Sequence, residues 1–341
     1  MVIDYELPLS SIAQEPATPR DASRLLALDR TAGRWEDRRF VDLPELLRPG
    51  DGLVLNTTRV IPARLLGDSV PGGRPVELLL LRALSPVRWE ALVRPGRRCR
   101  AGARVALAGG AAVATIVAER PGGAREVELE APWPVAELLA RHGLPPLPPY
   151  IERHRAPKPD DAERYQTVYA REGVSVAAPT AGLHFTPELL ARLAARGVET
   201  HDLRLDVGPG TFRPIVASAP EQHAMEAEPA WIPAGTAEAI ARAKTQGRRV
   251  VAVGTTTTRA LESAAVDGGV RAGAGEAALF IRPPHHFRVV DALLTNFHLP
   301  RTTLLLLVCA FAGRELVLDA YTHAVAAGYR FYSFGDAMLL T

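Results

Sequence analysis

The chain is built from short apolar runs set between polar and glycine-rich punctuation, and the period of those runs changes along its length. In the opening segment Arg24-Leu-Leu-Ala-Leu reads as a short strand, Leu43-Pro-Glu-Leu-Leu as a helical turn, and Gly52-Leu-Val-Leu-Asn56 as a buried strand with a polar end. From about Arg64 to Glu130 the texture shifts to short alternating segments, beginning at Val76, Trp89, Ala103, Ala112 and Glu126. The pairs Gly72-Gly73, Gly109-Gly110 and Gly122-Gly123 lie among them and suit the positive φ of tight hairpins. This pattern predicts an antiparallel meander or small barrel. A short helix over Val135 to His142, closed by Gly143, and a stiff connector Leu144-Pro-Pro-Leu-Pro-Pro-Tyr150 follow it.

The second half alternates helix and strand. Thr186 followed by Pro187 and Glu188 reads as an N-cap opening a helix that stops at Gly197. Leu203, Leu205 and Val207 then show strand periodicity, and Thr236 is the expected cap of a helix ending at Gly247. Arg249-Val-Val-Ala-Val-Gly254 reads as a buried strand emptying into a polar loop, Thr255-Thr-Thr-Thr-Arg259. Phe287 to Leu294 predicts another strand, and Leu304 to Ala312 and Glu315 to Ala327 predict helices. Such alternation predicts a parallel sheet. The expected fold class is therefore an α/β main domain with an inserted antiparallel β-barrel-like domain, the main domain comprising 1–63 and 150–341 and the insert 64–149.

Composition narrows the class. With 341 residues, 47% hydrophobic and 23% charged, the chain has the means for a sizeable core, and disorder is excluded as its general state. Its longest apolar run, Leu304 to Ala312, is far short of the roughly 20 residues a membrane span needs. The opening Met-Val-Ile-Asp-Tyr-Glu lacks a secretory pattern, so a cytoplasmic protein is expected. Cys99 and Cys309 have no metal-ligand spacing around them, which argues for metal-free chemistry. The formal charge of +2 is too small to mark a nucleic-acid binder, but it conceals two basic segments, Arg94-Pro-Gly-Arg-Arg-Cys-Arg100 and Glu152-Arg-His-Arg-Ala-Pro-Lys158. Each segment is read either as a phosphate contact or as a solvated loop.

Candidate chemistry gathers where apolar strands end. Ala177-Ala-Pro-Thr-Ala-Gly-Leu-His-Phe-Thr186 delivers His184 to the start of a capped helix, an anion-attracting place, although a lone histidine there can simply close a turn. Asn56-Thr-Thr-Arg59, Thr255-Thr-Thr-Thr-Arg259 and Thr295-Asn-Phe-His298 are polar strand endings of the kind at which open α/β sheets bind ligands. Asn296 and His298 fall on one side of an extended segment. There is no phosphate-loop Gly-Lys-Ser/Thr, no uninterrupted dinucleotide glycine fingerprint and no Gly-x-Ser-x-Gly elbow. The adjacent His285-His286 suits a surface role better than a metal site.

In order along the chain, these clusters resemble the S-adenosylmethionine:tRNA ribosyltransferase-isomerase family of queuosine biosynthesis. The resemblance spans nearly the whole sequence. It runs through Asp4-Tyr-Glu-Leu-Pro8, Ser23-Arg-Leu-Leu26, Asn56 to Arg64, Pro148-Pro-Tyr-Ile151, Ala177 to Thr186, Gly210-Thr-Phe-Arg-Pro214, Leu261-Glu-Ser263, Asp291 to Pro300 and Tyr329 to Leu339. It implies an α/β domain with an inserted β-rich domain. It also implies transfer and isomerisation of the ribosyl group of S-adenosylmethionine onto the aminomethyl group of a 7-deazaguanine base in tRNA, giving epoxyqueuosine and releasing adenine and methionine.

S-adenosylmethionine would then be a consumed ribosyl donor, with no permanently bound cofactor and no membrane partner. The catalytic candidates are His184 and His298, suited to proton transfer, and the carboxylate of Asp291. Donor binding is assigned to Asn56, Arg59, Thr180, Arg213, Thr255, Thr256, Asn296 and Asp336. Glu228 is a further candidate carboxylate, and Arg330 is read either as an anion contact or as an ion-pair partner of Asp336. The sequence departs from the family pattern at Thr57, where aspartate is usual, and at Asp206 and Glu226, where histidine is usual. Those positions raise two alternatives, a different acceptor and a non-catalytic RNA-binding role.

Overall fold

The structure, a computed structural model, describes residues 3–154, 156–208, 225 and 227–341. It divides into two compact units, one comprising Met1–Arg59, Gln166–Gly173 and Ala178–Thr341, the other Val60–Tyr165 and Val174–Ala177. The barrel unit is thus longer than the 64–149 span expected from texture. It takes in the proline-rich connector and the residues that follow.

The first unit is organised by a nine-stranded mixed sheet. In chain order its strands are β1 (Arg24–Asp29), β2 (Arg34–Arg39), β3 (Gly52–Asn56), β4 (Glu199–Leu205), β5 (Glu228–Ile232), β6 (Val250–Val253), β7 (Gly273–Ala277), β8 (Ala292–Asn296) and β9 (Ala337–Leu340). Across the sheet they are ordered β7-β5-β4-β3-β6-β8-β9-β1-β2. Only β4, β3, β6 and β8 form the parallel block that the alternation predicts. β9 runs against β8, and β1 lies parallel to β9. Consequently the carboxyl ends of β3, β6 and β8 share one edge of the sheet with the amino ends of β9 and β1.

Every residue of β3, β6, β8 and β9 is buried. Helices therefore cover both faces, which explains why these strands read as continuous apolar runs. Leu53, Leu55, Val251, Val253, Leu294 and Leu339 belong to a core shared with Leu189 and Leu193 of the Pro187–Ala195 helix. That helix begins where its cap predicts, with Thr186 Oγ1 accepting from the Leu189 amide at 3.1 Å.

Three local expectations are corrected. Thr236 lies inside the Ala234–Thr245 helix, and its hydroxyl donates to the Asp202 carbonyl at 2.7 Å instead of capping. Thr255–Thr258 is no loop but the first turn of the Thr255–Ser263 helix, because Gly254, at φ +94°, turns the chain straight from strand into helix. The predicted Phe287–Leu294 strand begins only at Ala292. The amides of Arg288, Val289 and Val290 are drawn instead to the Glu262 carboxylate at 3.0, 3.0 and 2.9 Å.

The second unit is a closed antiparallel barrel of Ala124–Glu130, Arg88–Arg94, Pro75–Ala83, Arg64–Val70, Arg104–Leu107 and Ala112–Glu119, in that spatial order. All three glycine pairs adopt positive φ in its hairpins. Leu65, Leu78, Leu80, Val105, Ile116 and Val127 fill the interior, and Val135, Leu138 and Leu139 of the Val135–His142 helix pack on the same core.

Because Glu262 gathers three amides that no strand partner satisfies, Glu262→Ala is expected to lower unfolding free energy by about 3 kcal/mol, with Glu262→Gln intermediate. Denaturant titration measures it. A loss below about 1 kcal/mol for the alanine variant would show that the 288–290 amides find other partners.

Candidate active site

The shared sheet edge collects buried polar side chains around His184. The chain reaches it through a short 3-10 helix, Thr180–His184, after which Phe185 is extended. Gly182 lets this turn pack closely, since a Cβ there would fall on the Tyr169 hydroxyl and crowd Thr167. Ala181 sits against Gly254, where a Cβ would lie 3.7 Å from its own, so the turn lies over the end of β6. The imidazole of His184 is buried and stacks on Phe40 with centroids 4.9 Å apart.

The hydrogen-bond network assigns its tautomer. Asn296 Nδ2, at the end of β8, lies 3.0 Å from the Tyr332 carbonyl oxygen and 3.2 Å from His184 Nε2. Its two N–H groups donate to those atoms, so Nε2 is the acceptor and the proton sits on Nδ1. Nδ1 donates to Ser23 Oγ at 2.7 Å, and the Ser23 hydroxyl reaches the Arg20 carbonyl at 3.3 Å. Reversing the Asn296 amide would set two carbonyl oxygens against each other, and Tyr332 prevents this. Tyr332 is itself held at φ +75°, a conformation that costs a non-glycine residue on the order of 1–2 kcal/mol and often marks a functional site. Asn296 Oδ1 is left as a buried acceptor without a partner among the described residues.

Burial, helped by the nearby guanidinium groups of Arg330 and Arg20, pushes the His184 pKa down from 6.5 to about 3. His184 is thus a neutral imidazole across the physiological range, with hydrogen-bonding direction fixed at both nitrogens. Asp336 stands one step further along the edge. Its carboxylate accepts from the amides of Arg24 at 2.9 Å and Arg330 at 2.7 Å, and Arg330 Nη2 lies 3.4 Å away. It clamps the amino ends of β1 and β9, so the ion-pair reading of Asp336 and Arg330 fits their contacts.

The other predicted residues divide by position. Thr255 and Thr256 are buried at the start of the helix after β6, on the same edge. Thr180 is half-buried at the head of the His184 turn. His298, two residues beyond Asn296, is buried with Nε2 2.8 Å from Thr295 Oγ1. Its amide donates to the Tyr321 hydroxyl and its carbonyl accepts from the Tyr5 hydroxyl. Burial alone lowers its pKa to about 3.

Asn56 bridges two strands, donating to the Leu205 carbonyl and accepting from the Leu205 and Thr58 amides. Arg59 is exposed and donates to the Arg171 carbonyl at 3.1 Å. Glu228 forms a buried ion pair with Arg259 at 2.5 Å and accepts the Gly208 amide. Arg213 and Glu226 lie outside the described residues.

Asp291 is not brought to His184. It precedes β8, whereas His184 meets the strand's far end, and five strand residues separate the two positions by roughly 16 Å. There it receives the Lys244 ammonium at 2.8 Å and the Val250 amide at 2.8 Å, as a structural anchor. Sequence reasoning left Ser23 and Phe40 out of the site. Only the placement of Ser23 just before a strand, inside a family-like motif, signalled it, and nothing local marked Phe40.

An open α/β sheet with an enclosed polar edge, in a chain that also builds a closed barrel, defines a two-unit α/β protein with a ligand-type site at its strand ends. The chain belongs to the family described as queuosine biosynthesis protein, whose model matches residues 2–340. A Thermus thermophilus protein named S-adenosylmethionine:tRNA ribosyltransferase-isomerase is 56% identical over 99% of this chain and 98% of its own length. A Symbiobacterium thermophilum protein of the same name is 53% identical, with the same coverage of each. The crystal structure of an S-adenosylmethionine tRNA ribosyltransferase from Thermotoga maritima matches with a TM-score of 0.57 and 38% identity, covering 99% of both chains. Among the described residues no helix is long and apolar enough to cross a membrane.

The lowered histidine values set a pH dependence. Between about 3 and 6.5 the unfolded chain binds protons at His184 and His298 that the folded chain refuses, so stability falls as pH drops through that window and is fully present above about 7. Roughly 2 kcal/mol is lost per imidazole at pH 5. Histidine ring NMR shifts should stay flat for both residues from pH 7.5 to 5. A titration of His184 near 6.5 would overturn the assignment.

Proposed function

We propose that this chain is an S-adenosylmethionine:tRNA ribosyltransferase-isomerase. It takes the ribosyl group of S-adenosylmethionine to the aminomethyl group of a 7-deazaguanine base in tRNA. In the overall reaction a carbon–nitrogen bond forms to that amine and the ribosyl group closes into a carbocyclic epoxide, while the sulfonium carbon–sulfur bond breaks to release methionine and the glycosidic bond breaks to release adenine. Of the two protons lost, from the carbon beside the sulfur and from the amine, adenine takes one and solvent the other. The observation that carries this reading is end-to-end similarity, at 53–56% identity, to proteins of that name. The polar edge around His184 supplies groups suited to the chemistry.

The roles follow from the contacts. A sulfonium donor has an acidic C–H beside the sulfur and a purine that must leave, so it needs a proton acceptor and directional hydrogen bonds more than a resident cofactor. His184 presents its Nε2 lone pair toward Asn296, and its Nδ1 proton is tied through Ser23 to the Arg20 carbonyl. Protonation at Nε2 would require Asn296 to give up that hydrogen bond, which couples proton transfer to a rearrangement of the amide. Asn296 Oδ1, unpartnered and buried, suits an N–H or O–H donor of the ligand. Thr255 and Thr256 offer hydroxyls at the same edge, and Arg330 supplies positive potential that favours a carboxylate of the donor. His298 and Asp336 hold the strand ends in place.

Incubation with S-adenosylmethionine and tRNA carrying the aminomethyl-deazaguanine precursor should release adenine and methionine together. His184→Ala should fold yet lose about 10²- to 10⁴-fold in rate. An unchanged rate in the folded variant would make His184 a packing residue. If adenine is released only with another acceptor, the substitutions at Thr57 and Asp206 have redirected the enzyme. If wild-type protein yields neither product beside a competent control, the reading fails.

A further inference from the structure

One end of the barrel carries a cluster of arginines that the reaction chemistry does not use. Arg94 closes the strand Arg88–Arg94 opposite Glu77, and Arg104 opens Arg104–Leu107 opposite Val70. Arg74 precedes Pro75–Ala83, where its amide donates to Ser69 Oγ at 3.2 Å. Because neighbouring strands are antiparallel, these three positions lie at the same barrel end. The connection 95–103 crosses that end, since the strands it joins are separated in the barrel by Pro75–Ala83 and Arg64–Val70. It adds Arg97 and Arg100 on either side of Cys99, which is buried in the barrel core.

This crossing segment is fastened down. The buried Arg125 donates from Nε to the Cys99 carbonyl at 3.1 Å and from Nη2 to the Gly96 carbonyl at 3.3 Å. Arg74, Arg94, Arg97, Arg100 and Arg104 are all exposed, and no ion pair involves them among the described residues. Other barrel arginines are matched: Arg82 with Glu90, Arg88 with Glu128, and Arg120 with Glu126. Of the carboxylates toward this end, Glu77 pairs with Arg64, Glu119 with Arg125 and Glu126 with Arg120, which leaves Asp68 as the exposed one outside an ion pair among the described residues. The acidic groups at this end other than Asp68 are thus engaged by different arginines, and the charge of the five rim arginines is neutralised by no ion pair among the described residues.

We propose that this arginine rim is a docking surface for the phosphate backbone of RNA, holding tRNA through contacts that are independent of the modified base. The inference rests on the reading of tRNA as acceptor. Guanidinium groups bind phosphate oxygens in pairs, and a rim whose backbone is latched by Arg125 presents them with little ordering cost. Backbone docking of this kind releases counterions and so weakens steeply with salt.

The test uses the full chain and an unmodified tRNA transcript, with affinity measured by fluorescence anisotropy across a potassium chloride series. The triple variant R94Q/R97Q/R100Q should bind at least about tenfold more weakly at 0.1 M salt and lose about 2 to 3 from the slope of log K against log salt. The flank control R82Q/R88Q removes charge elsewhere on the barrel and should stay near wild type. Near-ultraviolet circular dichroism confirms folding of each protein.

With precursor tRNA, the triple variant should show raised KM and unchanged kcat. Equal affinity and slope in the triple variant and wild type would overturn the rim, even where turnover is intact. Equal losses in rim and flank variants would overturn it as well, by showing a diffuse charge effect. Rim-dependent RNA binding without release of adenine or methionine would instead uphold the rim and reject the assigned reaction.

Discussion

Strand β9 runs against β8 yet lies parallel to β1, and this reversal of direction determines which side chains can meet at the sheet edge. In a uniformly parallel sheet the edge would collect only residues that follow strands. Here Asn296 ends a strand and Gly254 follows one, while Ser23 and Asp336 precede strands, and all four arrive at one edge. His184 then needs only a short turn, crossing above Gly254, to touch groups from opposite ends of the sequence. The Asp336 clamp on the Arg24 and Arg330 amides keeps the two reversed strands in register where that meeting occurs.

Neutrality of His184 follows from the same enclosure. An imidazole cut off from water and flanked by positive guanidinium groups holds its proton poorly, so its charge is given up and its hydrogen-bond geometry is kept. Direction is imposed from outside. Tyr332, in a left-handed conformation, aims a carbonyl at Asn296, Asn296 turns its N–H toward Nε2, and Ser23 receives Nδ1–H. The chain of orientation is longer than the site itself, and the strain at Tyr332 is stored where the orientation begins.

Much of this was visible in the amino-acid pattern, and the gaps have identifiable causes. The hairpin glycines, the alternating barrel segments and the Thr186 cap declared themselves because each is a local device with a local signature. The strand reversal at β9 did not, since Ala337–Leu340 is apolar in either direction and strand polarity is a long-range choice. Glu262 explains the overlong strand expected at Phe287: the segment has strand-like composition, but its amides are claimed by a carboxylate distant in sequence. His184 and Asn296 were legible as polar groups at turns and strand ends. Their mutual contact was not, nor was the separation of Asp291 from them, because sequence position next to a site motif does not reveal which end of a strand a residue occupies.

Two of the departures from the family pattern are best understood together. The resemblance implies aspartate at position 57 and histidine at 206, whereas this chain has Thr57 and Asp206. The ends of β3 and β4 lie side by side, with Asn56 in register with Leu203. Thr57 turns its hydroxyl to the Leu203 carbonyl at 3.1 Å, while Asp206 accepts the Thr58 hydroxyl at 2.6 Å. Relative to that pattern, the carboxylate stands at 206, just past the end of β4, instead of at 57, just past the end of β3. Negative charge at this part of the edge is therefore relocated, and the histidine is what the exchange gives up. Among the described residues, the side chains of Thr57 and Asp206 engage Leu203, Thr58 and Arg204, not Ser23, His184 or Asn296. A difference confined to the β3 and β4 ends therefore alters what lies beside the Ser23–His184–Asn296 network while its own hydrogen bonds, between Ser23 and His184 and from Asn296 to His184 and Tyr332, stay as they are.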